Sequence, residues 1–64
     1  MARENEVWLT TRRRQALYKA APEFYMTLSR YKVHSHPDGS FTYLDVSLRD
    51  QEIIATHLMN VPAY

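Results

Sequence analysis

The stretch Tyr31-Lys32-Val33-His34-Ser35-His36-Pro37-Asp38-Gly39-Ser40-Phe41-Thr42-Tyr43-Leu44-Asp45-Val46-Ser47-Leu48 decides the fold. Its centre, Pro37-Asp38-Gly39, holds the only glycine of the chain. Proline presets φ for the first turn position and glycine takes the left-handed one. Both flanks are rich in β-branched and aromatic residues, so the segment reads as a hairpin with a three-residue loop and a G1 bulge. With His36 opposite Ser40, the pairs running away from the turn are Ser35 with Phe41, His34 with Thr42, Val33 with Tyr43, Lys32 with Leu44 and Tyr31 with Asp45. Strict alternation then puts Tyr31, Val33, Phe41 and Tyr43 on one face. Leu44, Val46 and Leu48 fall on the other, with His34, His36 and Thr42 nearer the turn.

Beyond the hairpin, Ser47 followed by Asp50 resembles a capping box, Asp50 and Glu52 suit the positive end of a helix, and Ile53, Ile54, Leu58 and Val61 recur at helical spacing. A helix from about Leu48 to Asn60, stopped by Pro62, is expected to pack on the aliphatic side of the hairpin. Ahead of the hairpin, Leu17, Ala21, Phe24, Leu28 and Tyr31 form an apolar stripe that begins near Thr10 or Thr11. Pro22 interrupts it, because its ring clashes with the Tyr18 carbonyl while Pro22-Glu23 makes a good first turn. Two short helices, about 11 to 20 and 22 to 30, are expected, or one kinked helix. Val7-Trp8-Leu9 reads as a short edge strand or as a staple over the first helical turn, and residues 1 to 5 as frayed. The fold class is therefore α+β: an N-terminal strand or arm, two short helices, a hairpin and a C-terminal helix. Helices followed by a hairpin are also the ingredients of a winged helical DNA-binding domain, a likeness of architecture alone, and the order lacks a clear three-helix core.

With 64 residues and a mass of 7.6 kDa, the chain has room for one small domain. Its 45% hydrophobic content marks a globular chain, and the absence of cysteine excludes disulfides, thiolate metal sites and a cysteine nucleophile. No apolar run approaches the roughly 20 residues of a membrane span, so no membrane partner and a cytoplasmic location are expected. A domain this small, without disulfide or metal, often leans on a partner, and a homodimer is favoured over a monomer.

Charge is segregated. Residues 1 to 32 hold seven Lys/Arg against three Glu, and residues 33 to 64 hold one Arg against four Asp/Glu, so the halves carry about +4 and −3. Arg12, Arg13 and Arg14 form the densest cluster, in the first turn of a helix where cations oppose the macrodipole. Free N–H groups beside arginine suit phosphate or carboxylate, and Lys19, Arg30 and Lys32 would widen the patch. The leading expectation is a small non-enzymatic regulatory or accessory protein that binds nucleic acid through Arg12, Arg13, Arg14, Lys19, Arg30 and Lys32. The alternative is a protein-interaction module, an inhibitor, adaptor or assembly factor suited to a phage or mobile element, gripping its partner through Trp8, Tyr31, Phe41 and Tyr43. Aromatics on a sheet can stack on bases, but in a chain short of core their usual fate is burial.

His34 and His36 share a strand face and, with His57 or Asp38, could approach a metal site, although no ligand spacing supports one. His57 has a plainer role as a cation in the last turn of a helix. Ser29, Ser35, Ser40 and Ser47 lack a nucleophile-elbow motif, and a single glycine leaves no phosphate loop. No enzyme activity, cofactor or metal is expected.

Overall fold

The computed structural model describes residues 5–62. Six elements follow one another: β1 (Val7–Leu9), α1 (Thr11–Ala20), α2 (Pro22–Leu28), β2 (Val33–Ser35), β3 (Phe41–Tyr43) and α3 (Leu48–Leu58). The three strands make one antiparallel sheet in the order β1-β3-β2, so the second hairpin strand occupies the centre.

The hairpin has the expected register, Val33 facing Tyr43, His34 facing Thr42 and Ser35 facing Phe41. At the turn, Gly39 N–H donates to His36 O (3.0 Å) and His36 N–H to Ser40 O (2.9 Å), with Gly39 at φ +91°. That is the type I turn plus G1 bulge that Pro-Asp-Gly encodes. The Asp38 carboxylate accepts from both the backbone N–H (2.9 Å) and the hydroxyl (2.6 Å) of Ser40, which fastens the bulge. β1 is the edge strand of the sequence reading, and it pairs with β3: Val7 with Tyr43, Trp8 with Thr42, Leu9 with Phe41.

Local chemistry sets the helix limits. Thr10 caps α1, its hydroxyl accepting from Arg13 N–H (3.2 Å). Ala21, ahead of the proline ring, leaves the helical region at φ −149°, ψ 75°, and α2 begins at once with Pro22 in its first turn. Two helices, not one kinked helix, are the result. α2 stops at Leu28, two residues before the expected end. The N–H groups of Ser29, Arg30 and Tyr31 turn to carbonyls three residues back, a tightening that ends the helix. Ser47 caps α3 through Asp50 N–H (3.2 Å), while the Asp50 carboxylate accepts from the Tyr31 hydroxyl rather than reaching back to the cap. α3 ends at Leu58, also short of Asn60, and Val61 N–H closes the last turn on Leu58 O (3.0 Å).

The core is one cluster of Leu9, Leu17, Leu28, Tyr43, Val46, Ile54 and Leu58, flanked by half-buried Val7, Ala16, Phe24, Tyr25, Tyr31, Phe41 and Val61. Two expectations fail here for one reason. Asp45 adopts φ +56°, and this left-handed residue breaks the alternation after Leu44. Val46 therefore leaves the Leu44 face and is buried with Tyr43, its N–H bonding Asn5 O (2.8 Å), while Leu48 is 72% exposed. α3 accordingly packs against α1 on the Tyr43 side and not on the aliphatic side of the hairpin. Asn5 is pinned by the same bond and is not frayed; residues 1 to 4 lie outside the described part. The opposite sheet face carries Trp8, His34, His36, Thr42 and Leu44, of which Trp8 and His34 are exposed and the others half-buried among the described residues. Among the described residues no helix is long and apolar enough to cross a membrane.

Candidate nucleic-acid interface

α1, Thr-Arg-Arg-Arg-Gln-Ala-Leu-Tyr-Lys-Ala, carries four cations and no acidic residue. Helical geometry distributes them to three sides. Leu17 points to the core, Arg13 lies on the edge toward α3, Arg14 and Tyr18 face the hairpin and α2, and Arg12, Gln15 and Lys19 form an exposed stripe.

The arginine triplet therefore does three different things. The Arg13 guanidinium donates to Val61 O (2.5 Å) and ties α1 to the segment after α3. Arg14 lies across the hairpin: Nη2 donates to Gly39 O (2.8 Å) and to Thr11 Oγ1 (3.3 Å), and Cζ sits 3.9 Å from the centroid of the Phe41 ring. Its Nε is buried without a partner. Arg12 is exposed in the first turn. The acceptors for Arg13 and Arg14 are carbonyl and hydroxyl oxygens, which are neutral, so both cations keep their charge while losing their mobility. The two inner cations of α1 are thus fixed in place and still charged.

Between α1 and α2 runs an open groove of about 570 Å³ lined by Arg14, Gln15, Tyr18, Lys19 and Tyr25. Tyr18 and Tyr25 meet edge to face, centroids 5.4 Å apart at 77°. Below them the hydroxyl of buried Tyr43 is pushed up to about 12, by burial first and then by Tyr25, so it stays a neutral phenol. Lys19 was singled out in the sequence; Gln15, Tyr18 and Tyr25 were not. Gln15, Tyr18 and Lys19 stand three and four residues apart, a spacing visible in the sequence, but Tyr25 joins them only because the bend at Ala21 folds α2 back on α1. Arg30 and Lys32 are both exposed in the segment that links α2 to β2.

The aromatic set is dispersed. Tyr43 is 4% exposed and belongs to the core. Phe41 is half-buried under Arg14, and Tyr31 is half-buried with its hydroxyl on Asp50. Trp8 is 44% exposed on the opposite sheet face, its indole N–H donating to Ser40 Oγ (2.9 Å). His34 and His36 stack on that same face with centroids 5.4 Å apart, and His36 Nε2 is 2.7 Å from Thr42 Oγ1. His57 instead lies against Phe24, in the last turn of α3. Among the described residues no three His, Asp or Glu side chains are grouped to hold a metal ion. Compared with protein families, with curated proteins and with solved structures, the chain finds no significant match.

Proposed function

We propose that this protein is a small non-enzymatic nucleic-acid-binding protein, of a regulatory or accessory kind, that meets phosphates along α1. One observation carries the reading: four cations and no carboxylate on a ten-residue helix, with Arg13 and Arg14 bound to uncharged oxygens so that these two charges are not neutralised by their partners. Long-range attraction of a polyanion depends on such charges, and phosphate contacts depend on the exposed cations. The contacting set is thus Arg12, Lys19, Arg30 and Lys32, with Arg13 and Arg14 as its rigid support. The architecture agrees in outline. Two helices meet at one residue and are followed by a hairpin whose second strand pairs with the strand ahead of them, while α3 packs on α1 but follows the hairpin instead of preceding it. The likeness to a winged helical DNA-binding domain is therefore one of ingredients alone.

Titration of labelled duplex and single-stranded oligonucleotides at several salt concentrations tests the proposal. Four phosphate contacts give a log–log slope of roughly −3 to −4, and replacing Arg12 or Lys19 with Gln should flatten it by about one for every sequence alike. No binding at about 50 mM salt would reject the reading and favour a protein partner, whose affinity would rest on a few anchors such as Trp8 and respond weakly to salt.

A further inference from the structure

We propose that the groove between α1 and α2 receives an unpaired nucleobase stacked on the Tyr18 ring, with Lys19 at its phosphate, so that the preferred partner is single-stranded. This rests on the nucleic-acid reading above and narrows it.

The groove volume, about 570 Å³, lies in the range of roughly 300–1,000 Å³ typical of small-ligand sites. Its lining supplies two cations, two phenol rings and one amide, and no carboxylate. Tyr18 is 56% exposed, yet its ring is steadied by the edge contact with Tyr25, so a base stacking there immobilises little that was free. Gln15, one turn earlier on α1 and also lining the groove, offers both a donor and an acceptor, the combination a base edge requires. Arg14, anchored over Phe41, adds a fixed positive charge to the wall.

On the α2 side of the groove a duplex would find less. The exposed side chains of α2 are Pro22, Glu23, Met26 and Thr27, and the Thr27 hydroxyl is engaged by Glu23 O. That surface has no arginine, lysine, asparagine or glutamine to reach base edges in a major groove, and its one charge repels phosphate. Stacking needs only a π-face, which every unpaired base presents.

The test compares a short fluorescein-labelled oligothymidylate with the corresponding oligothymidylate–oligoadenylate duplex at equal salt, by anisotropy. The single strand should bind about tenfold more tightly. Tyr18→Leu should lower single-strand affinity about tenfold and leave duplex affinity unchanged, whereas Tyr18→Phe should keep both. Gln15→Glu, at an exposed position that does not touch the core, should weaken the single strand by a similar factor and serves if the Tyr18 variant folds poorly. Equal binding of both forms, indifferent to Tyr18 and Gln15, would overturn this proposal while leaving the phosphate-binding reading in place. Absence of binding to either form would overturn both.

Discussion

Replacing Gly39 with valine probes the hairpin, the first helix and the link between them in one change. Gly39 sits at φ +91°, where a β-branched side chain is badly strained, at a cost on the order of 1–3 kcal/mol. A Cβ there would also stand 3.1 Å from Thr11 Oγ1. That oxygen cannot easily retreat, since it donates to Gly39 O (2.9 Å) and accepts from Arg14 Nη2. Together these give a loss of about 2 to 3 kcal/mol, against a total stability of roughly 3 to 10 kcal/mol for a domain of this size. The melting temperature should fall by roughly 10–20 °C. Gly39→Asn, which tolerates positive φ, should lose only about 1 kcal/mol. In a Thr11→Ala background Gly39→Val should cost less than in the parent, because the contacted oxygen is gone. Urea titrations followed by circular dichroism measure all four variants. The reasoning fails if valine leaves the midpoint unchanged, or if asparagine is as damaging as valine.

Asp45→Val should destabilise by about 1–2 kcal/mol and Asp45→Gly should not, as chemical denaturation will show, because this left-handed position turns Val46 into the core. Arg14→Met should lower stability by roughly 1–3 kcal/mol through two lost hydrogen bonds and the Phe41 contact, whereas exposed Lys19→Ala should stay within about 0.5 kcal/mol; thermal melts of the two variants separate support from surface. The Asp38 carboxyl is held below its ordinary value of 3.8 by the Ser40 hydroxyl and then the Ser40 N–H, so its contribution is present above 3.8 and lost as pH falls further; Asp38→Asn should flatten that acid limb of a stability–pH profile. Tyr43 is raised, so the unfolded chain gives up that proton first and stability should decline as pH climbs from 10 toward about 12, with one phenol ionising last in ultraviolet difference spectra. Exposed Met26, Leu48 and Met59 lead us to expect a homodimer at micromolar concentration, which sedimentation at a constant 7.6 kDa at all loadings would disprove.

What could be read from the residues was local. Pro37-Asp38-Gly39 announces its turn and register because both follow from backbone preferences within five residues. Ser47, Thr10 and Pro22 announce helix starts for the same reason. Alternation misplaces Val46 because it assumes an unbroken strand, and nothing at Asp45 marks the left-handed backbone that breaks it. The error then propagates to α3, whose packing side is inferred from the supposed Leu44, Val46 and Leu48 face.

At the candidate interface the residue types were legible and their division of labour was not. Consecutive Arg12, Arg13 and Arg14 look alike in sequence, yet successive helical positions differ by about 100°, so they face solvent, α3 and the hairpin respectively. Only the positions of Val61 and Gly39, distant in the chain, decide what Arg13 and Arg14 hold. The Tyr18–Tyr25 pair was invisible for a related cause, since it depends on the angle at which two helices meet.

The bond from Trp8 to Ser40 joins residues 32 positions apart and marks the step that closes the sheet. Bringing β1 onto β3 means shutting a long loop, an entropic barrier of about 2 kcal/mol beyond that of the local hairpin. During synthesis β1 leaves the ribosome first and has no strand to pair with until β3 has also emerged. Trp8 is the sole tryptophan and its indole is held on Ser40, so its emission reports the pairing of β1 with β3. A single optical probe, native to the chain, can therefore time the arrival of the first strand separately from the formation of helix.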